Sequence, residues 1–302
     1  MLPLVLTPRD LAQLRISRTV AERAAATGRW QRAASGVYLP HDRPATPREL
    51  VAAADAHVQA PHAITGLLVL YELGLPWLPP LQAVQVLVPP DVRRRSGRLV
   101  HVRRAQHFAE LTTWTRYGSR LVETEQAVVD ASRARDLRTA RGLVLGAVAA
   151  GRADVDELRR VLDAGASGGS ATTRRALLDA HRGCASPPEA ELVDALIGRR
   201  VPFYVNPELW LDAVLLGCPD VWLVGRGVGG EVESQERHGS AGQVESTYDR
   251  HERFGGHGLE LVHLSVRRIR VSATEAASRL LAEPPRAQPA GLRVVPRGPL
   301  LS

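Results

Sequence analysis

A mixed α/β fold, α+β overall, is predicted for this chain by three observations. Helical stripes alternate with short apolar, β-branched runs along its length. The helix starts carry Ser or Thr as caps, several of them followed by proline in the first turn. A glycine-rich stretch near the C-terminal third joins two runs that read as strands, which is the place of a hairpin turn.

The elements follow in order. Leu6-Thr7-Pro8-Arg9-Asp10 offers Thr7 as N-cap, Pro8 at the first helical position and Asp10 in the first turn, so a helix begins there. A second begins at Ser17-Arg18-Thr19-Val20-Ala21-Glu22, with Val20 at the position where a glutamate would complete a capping box, and it stops after Ala26 at Thr27-Gly28. Arg29-Trp30-Gln31-Arg32 then leads through Ser35-Gly36 into Val37-Tyr38-Leu39, a short hairpin. Two short helices followed by a two-stranded wing is the order of a winged helix-turn-helix, whose second helix enters the major groove. Between Met1 and Arg48 eight arginines face three acidic residues, a net charge of +5. Phosphate attraction of that kind supplies affinity and salt dependence; sequence choice would fall to Ser17, Arg18, Thr19 and Arg23, and Arg29 and Arg32 complete the candidate DNA-contacting set. A small helical subdomain with an ordinary arginine-rich surface would read the same way.

Residues 46–183 read as a connecting α/β domain without chemistry of its own. Helices are expected over Arg48 to Val58 and His62 to Leu70, strands at Gln82 to Val88 and Val100 to Arg103, and Arg120-Leu121-Val122 leads into a helix from Thr124 to Ala131. Leu137 to Gly151, Val155 to Leu162 and Ser170 to His181 continue as helices. His62 reads as a core or capping histidine, and Trp77 and Trp114 as packing anchors. Arg93-Arg94-Arg95, Arg98 and Arg103-Arg104 form a basic loop and strand flank that could touch phosphate, although such runs are more often solvated.

The third region, residues 184–283, carries the carboxylates. Ser186-Pro187-Pro188-Glu189 opens a helix, and the order that follows is strand, strand, helix, strand. Asp220 stands beside the apolar run Val221-Trp222-Leu223, and Glu231 and Glu233 flank Val232 on the next run. If both runs are strands, the three acids project to one edge, an oxygen-rich arrangement suited to Mg²⁺ and to phosphodiester hydrolysis. Alternate acids on a strand also mark a solvated face. The glycines in Val228-Gly229-Gly230 are expected to loosen the second strand and its packing.

Two resemblances rest on these residues. Ser186-Pro187-x-Glu189, Asp220, Glu231-x-Glu233 with His238 after it, and Asp249-Arg250-x-x-Arg253 resemble the Vsr-like endonuclease domains of the PD-(D/E)XK superfamily, found at the C-terminus of many actinobacterial proteins. The resemblance implies a restriction-endonuclease-like mixed sheet flanked by helices, Mg²⁺ or Mn²⁺ as cofactor, and Asp220, Glu231 and Glu233 as the metal-binding carboxylates. It further implies Glu189 as a supporting helix carboxylate and Glu233 with His238 as catalytic groups. The chain has no lysine, all 39 basic residues being arginine, so the lysine common at the third motif position is replaced by Glu233. Gly28-Arg29-Trp30-Gln31-Arg32 with Ser35-Gly36-Val37-Tyr38 resembles the corresponding turn in AbiEi-type antitoxins of type IV toxin–antitoxin systems. That resemblance covers residues 1–45 and implies operator DNA and a cognate toxin or other protein as partners.

Composition bounds the rest. With 302 residues, 44% of them apolar, the chain can bury two or three modest cores. A net charge of +7 favours a polyanionic partner. Two cysteines, Cys184 and Cys218, are too few for a disulfide framework, and no apolar run is long enough to span a bilayer, so a cytoplasmic protein without membrane contact is expected. The proline-rich stretch 284–302 is expected to be disordered. Two functions stay open: a metal-dependent endonuclease, or a non-catalytic antitoxin-type regulator with a degenerate nuclease fold.

Overall fold

Caps and turn glycines set the element boundaries, and burial then joins the elements into two bodies. A computed structural model describes residues 3–233 and 252–302, with mixed α/β architecture. The chain divides into two compact units, Met1–Arg174 and Arg175–Ser302. The first 45 residues lie within the first unit, and the division falls inside the helix Ala171–His181.

In the first unit, α1 (Pro8–Gln13) starts on a full capping box between Thr7 and Asp10, and α2 (Arg18–Ala26) starts on Ser17, whose hydroxyl accepts from Val20 N. Strands β1 (Gln31–Ala34) and β2 (Val37–Leu39) form an antiparallel hairpin. Leu6 adds a single bridge to it, exchanging both backbone hydrogen bonds with Tyr38 at 2.8 and 3.0 Å. A small core of Leu6, Leu11, Ala21 and Tyr38, flanked by Ile16, Ala25 and Trp30, clamps both helices onto the hairpin.

Helix α3 (Pro47–Val58) is capped by Thr46 and Glu49, and Gln59 ends it in the left-handed region at φ 50°. After it come β3 (Ala63–Thr65), α4 (Leu67–Glu72), β4 (Val84–Val88), β5 (Val100–Arg104), β6 (Thr113–Arg116) and β7 (Ser119–Val122). They build a five-stranded sheet in the order β5-β4-β3-β7-β6, parallel at β4/β5 and β3/β7 and antiparallel elsewhere. Helices α5 (Thr124–Ser132), α6 (Leu137–Ala149), α7 (Val155–Ala164) and α8 (Ala171–His181) follow, α5 packing on α4, α6, α7 and β3. Asp130 of α5, nearly fully buried, ties this layer to the sheet by accepting from Thr65 Oγ1 at 2.8 Å and Gln126 Nε2 at 2.9 Å and by pairing with Arg103.

Two expectations for this unit are corrected. The run from His62 to Leu70 is not one helix: Ala63-Ile64-Thr65 pairs into the sheet, and Gly66, at φ 72°, turns the chain where Gln85 occupies the space a Cβ would need. Trp77 is 79% exposed and anchors nothing, because its loop lies outside the sheet and helices. Trp114, half-buried, donates from Nε1 to Val122 O at 3.1 Å.

In the second unit, α9 (Pro187–Leu196) precedes β8 (Phe203–Val205), β9 (Glu208–Leu211), β10 (Val214–Gly217), β11 (Val221–Leu223) and β12 (Val228–Glu233). Beyond helical residues 252–256 come β13 (Glu260–Ser265), α10 (Val266–Val271), α11 (Ala273–Ala282) and β14 (Leu292–Val295). A four-stranded sheet runs β13-β12-β11-β8, parallel only at β12/β13, and a three-stranded sheet runs β10-β9-β14. Trp222 and Leu261 pack with Leu209, Leu216, Phe254 and Leu259 in a common core. Strands β8 to β10 were not expected from the sequence.

Two further corrections concern glycine and proline. Gly229 and Gly230 do not loosen β12, which pairs continuously with β11 and β13. A Cβ on Gly229 would stand 3.0 Å from Leu261, 3.1 Å from Pro219 and 3.2 Å from Trp222, and one on Gly230 would stand 3.1 Å from Leu280 of α11. The glycines admit large neighbours on both faces. The C-terminal stretch is ordered rather than disordered: β14 pairs with β9, and Leu301 bridges Phe203, because Leu292 and Val294 pack against the core between the prolines.

Candidate functional site

Each unit presents one candidate site. In the first, Ala21 and Ala24 bury one side of α2, so the opposite side is presented outward. Ser17, Arg18, Thr19 and Arg23 are all exposed, as are Arg29 and Arg32, the latter on β1. Arg18 pairs with Glu22 at 2.7 Å along the helix surface, and Ser17 serves as the helix cap. Val20, 54% exposed, puts an apolar contact among the polar residues. The motif residues of the hairpin are its scaffold: Gly28 and Gly36 take positive φ, Trp30 packs against Tyr38 with ring centroids 6.4 Å apart and the planes tilted by 56°, and Val37 is buried.

Behind the hairpin, Glu49 fixes the chain that leads into α3. Its carboxylate accepts from Arg43 at 2.6 Å, Thr46 N at 2.8 Å and Thr46 Oγ1 at 2.9 Å, and His41 Nε2 lies 3.1 Å away. Burial pushes its pKa up, but the Arg43 and Thr46 hydrogen bonds and the nearby His41 outweigh that and bring it down to about 2. His62 is a structural histidine, as expected. Its Nε2 lies 2.8 Å from Asp55 Oδ1, and Ser119 Oγ donates to both Asp55 oxygens at 2.8 and 2.7 Å. Burial lowers the His62 pKa and raises that of Asp55; the mutual hydrogen bonds reverse both, leaving His62 raised and Asp55 lowered.

In the second unit, alternation along β12 puts Glu231 and Glu233 on the face of Gly229, the side covered by Trp222. Asp220 turns back along the sheet, its Oδ2 accepting from Val232 N at 2.6 Å. Parallel pairing brings His263 opposite Glu231, and His263 Nδ1 lies 2.6 Å from Glu233 Oε1. Glu189 is buried at the start of α9, where it accepts from Ala185 N at 2.8 Å, Ser186 Oγ at 2.7 Å and Asn206 Nδ2 at 2.9 Å. Asn206 also donates its backbone N–H to Asp220 O at 3.0 Å, linking the two segments.

Among the described residues, no three His, Cys, Asp or Glu side chains gather closely enough to hold a metal. Asp220, Glu233 and Glu189 each turn to a local partner instead. His238, with Asp249 and Arg250, lies outside the described residues. Sequence reasoning missed His263, Asn206 and a cleft of about 850 Å³ whose lining includes Glu233, Arg267, Arg268, Arg270, Glu275 and Arg279. No local signal marks the first two, whereas Arg267-Arg268-x-Arg270 was visible as a basic run.

Neither a protein-family model nor a curated protein matches the chain. Among solved structures, it is similar to the crystal structure of the RV2827C protein from Mycobacterium tuberculosis, with a TM-score of 0.40 and 17% identity over 63% of this chain and 75% of that one. No helix among the described residues is long and apolar enough to cross a membrane.

Proposed function

We propose that this chain is a cytoplasmic DNA-binding regulator of antitoxin type, whose residues 1–45 act as a winged helix-turn-helix with α2 in the major groove. One observation carries the reading: Ser17, Arg18, Thr19, Arg23, Arg29 and Arg32 are all exposed, while the helices and hairpin beneath them share a closed apolar core. Arg23 and Thr19 would meet base edges, and Arg29 and Arg32 would meet phosphates beside the wing. A cognate toxin or another protein is the further partner that the AbiEi resemblance supports.

A second reading is metal-dependent phosphodiester hydrolysis by the second unit on a Vsr-like, restriction-endonuclease-like sheet, with Mg²⁺ or Mn²⁺ as its cofactor. The arginine-lined cleft that opens beside Glu233 favours it, since such a cleft suits a phosphodiester. The acids' engagement with local partners weighs against it.

One set of measurements on the purified protein tests both. Binding to duplex DNA from upstream of its own coding sequence is followed by fluorescence anisotropy, and the same DNA is incubated with Mg²⁺ and Mn²⁺. Arg23→Ala is expected to weaken binding by about tenfold to a hundredfold, the cost of one base contact. A parent protein that fails to bind duplex DNA at low salt overturns the regulator. Cleavage abolished by both Asp220→Ala and Glu231→Ala would establish the nuclease instead.

A further inference from the structure

The basic run at Arg93-Arg94-Arg95 and Arg98 is not a loosely solvated loop. Its backbone and side chains are fastened to three other elements of the first unit. His57 Nε2, near the end of α3, lies 2.8 Å from Arg95 O, and Arg94 Nε donates to Val58 O at 2.9 Å. Ser96 Oγ accepts from Val102 N of β5 at 2.9 Å. Leu99 N donates to Ala33 O of β1 at 2.9 Å.

Gly97 fixes how closely the loop meets the hairpin. A Cβ there would stand 2.6 Å from Ala33 O and from Ala34 Cα, both backbone atoms that cannot turn aside. The close approach leaves a cleft of about 640 Å³ with Glu22, Ala25 and Ala26 of α2 on one side, Arg32 and Ser35 of the hairpin beside them, and Arg95 and Arg98 opposite. Arg32, Arg95 and Arg98 are exposed, and among the described residues no carboxylate pairs with them. Glu22 carries the cleft's negative charge and is paired with Arg18.

We infer that the Arg93–Arg98 loop is a phosphate clamp, which with Arg32 holds the duplex DNA backbone alongside α2. The inference rests on the DNA-binding reading and extends its contact surface past residue 45. A tethered backbone presenting unpaired guanidiniums is suited to this task, because the loop is already ordered before DNA arrives and each arginine can fork onto phosphate oxygens. Clamp contacts carry no base preference; they release counterions and so set the salt dependence.

The experiment is a salt titration of binding to a labelled random-sequence duplex, using the full chain, R95Q/R98Q, and the charge-matched control R152Q/R159Q on the exposed surface of α7 and its approach. Two lost phosphate contacts flatten the slope of log K against log salt by about 1.8, so the affinity that the parent loses between roughly 50 and 200 mM salt shrinks by about tenfold in R95Q/R98Q. The control keeps the parent slope. Among the described residues, neither Arg95 nor Arg98 uses its side chain in a hydrogen bond or ion pair, so R95Q/R98Q is expected to melt with the parent. If the parent binds, and Arg23→Ala weakens binding to the upstream duplex as above, while R95Q/R98Q keeps the parent slope, the clamp is overturned and the DNA-binding reading stands. Equal flattening in both double variants also overturns it, by reducing the effect to net charge. A parent that does not bind removes the reading beneath it.

Discussion

The exposed side of α2 and the carboxylate end of β12 were both singled out by charge, and the structure treats their charges in opposite ways. In the first unit, Arg23, Arg29 and Arg32 are exposed, Arg29 Nε reaching only as far as Thr27 Oγ1 at 3.4 Å, while Tyr38 and Leu6 beneath them exchange backbone hydrogen bonds. In the second, Glu189 is surrounded by three donors, Asp220 closes on Val232 N, and Glu233 turns to His263. The difference separates charges left at the surface from charges that stabilise the fold. A charged side chain that already satisfies buried donors is costly to redirect toward a ligand, whereas an exposed arginine loses little by leaving water for a phosphate.

The comparison can be broken most forcefully at Glu189. Glu189→Ala leaves Ala185 N, Ser186 Oγ and Asn206 Nδ2 without their shared acceptor in a buried place, and is expected to cost about 2–3 kcal/mol in chemical denaturation. A variant more stable than the parent would show Glu189 to be held in strain for function, and the contrast would fail.

A smaller effect is expected at Glu49, the acid that steadies the chain leading from the hairpin into α3. Its folded pKa of about 2 lies below its ordinary 4.5, so its stabilisation is fully present above about pH 4.5 and is lost as pH falls toward 2. The gap in melting temperature between parent and Glu49→Gln should therefore be constant near neutrality and close on acidification through that window. A gap that persists at pH 2 would mean that packing of the side chain, not its charge, does the holding.

The smallest effect sharpens the other side. Arg23→Ala, expected above to weaken DNA binding, should melt within about 0.5 kcal/mol of the parent, as expected for an exposed residue away from structural contacts. A larger loss would place Arg23 among the structural charges and move α2 out of the contrast.

Much of the fold was legible because its signals are local. Thr7-Pro8-x-Asp10, Ser17 and Ser186-Pro187 are caps whose partners lie within three residues, and each starts a helix at the expected place. The site was less legible. Gly229 and Gly230 looked like weakness in the chain and are room for Trp222 and Leu280, whose approach no local pattern announces. Trp77 looked like an anchor, and its loop stands clear of the core.

The sequence by itself determined the mixed α/β class, the helix starts, the hairpin with its glycine turns and the excess of arginine, because caps, periodicity and charge act over a few residues. Only the tertiary structure decided which charges have partners. It set Gly97 against Ala33 to aim Arg95 and Arg98 beside α2, ran β13 parallel to β12 so that His263 meets Glu233, and used Asn206 to join Glu189 to the Asp220 strand. Those pairings join residues far apart in the chain, and they are selected by burying apolar surface around them, which leaves no trace in the spacing of the residues themselves.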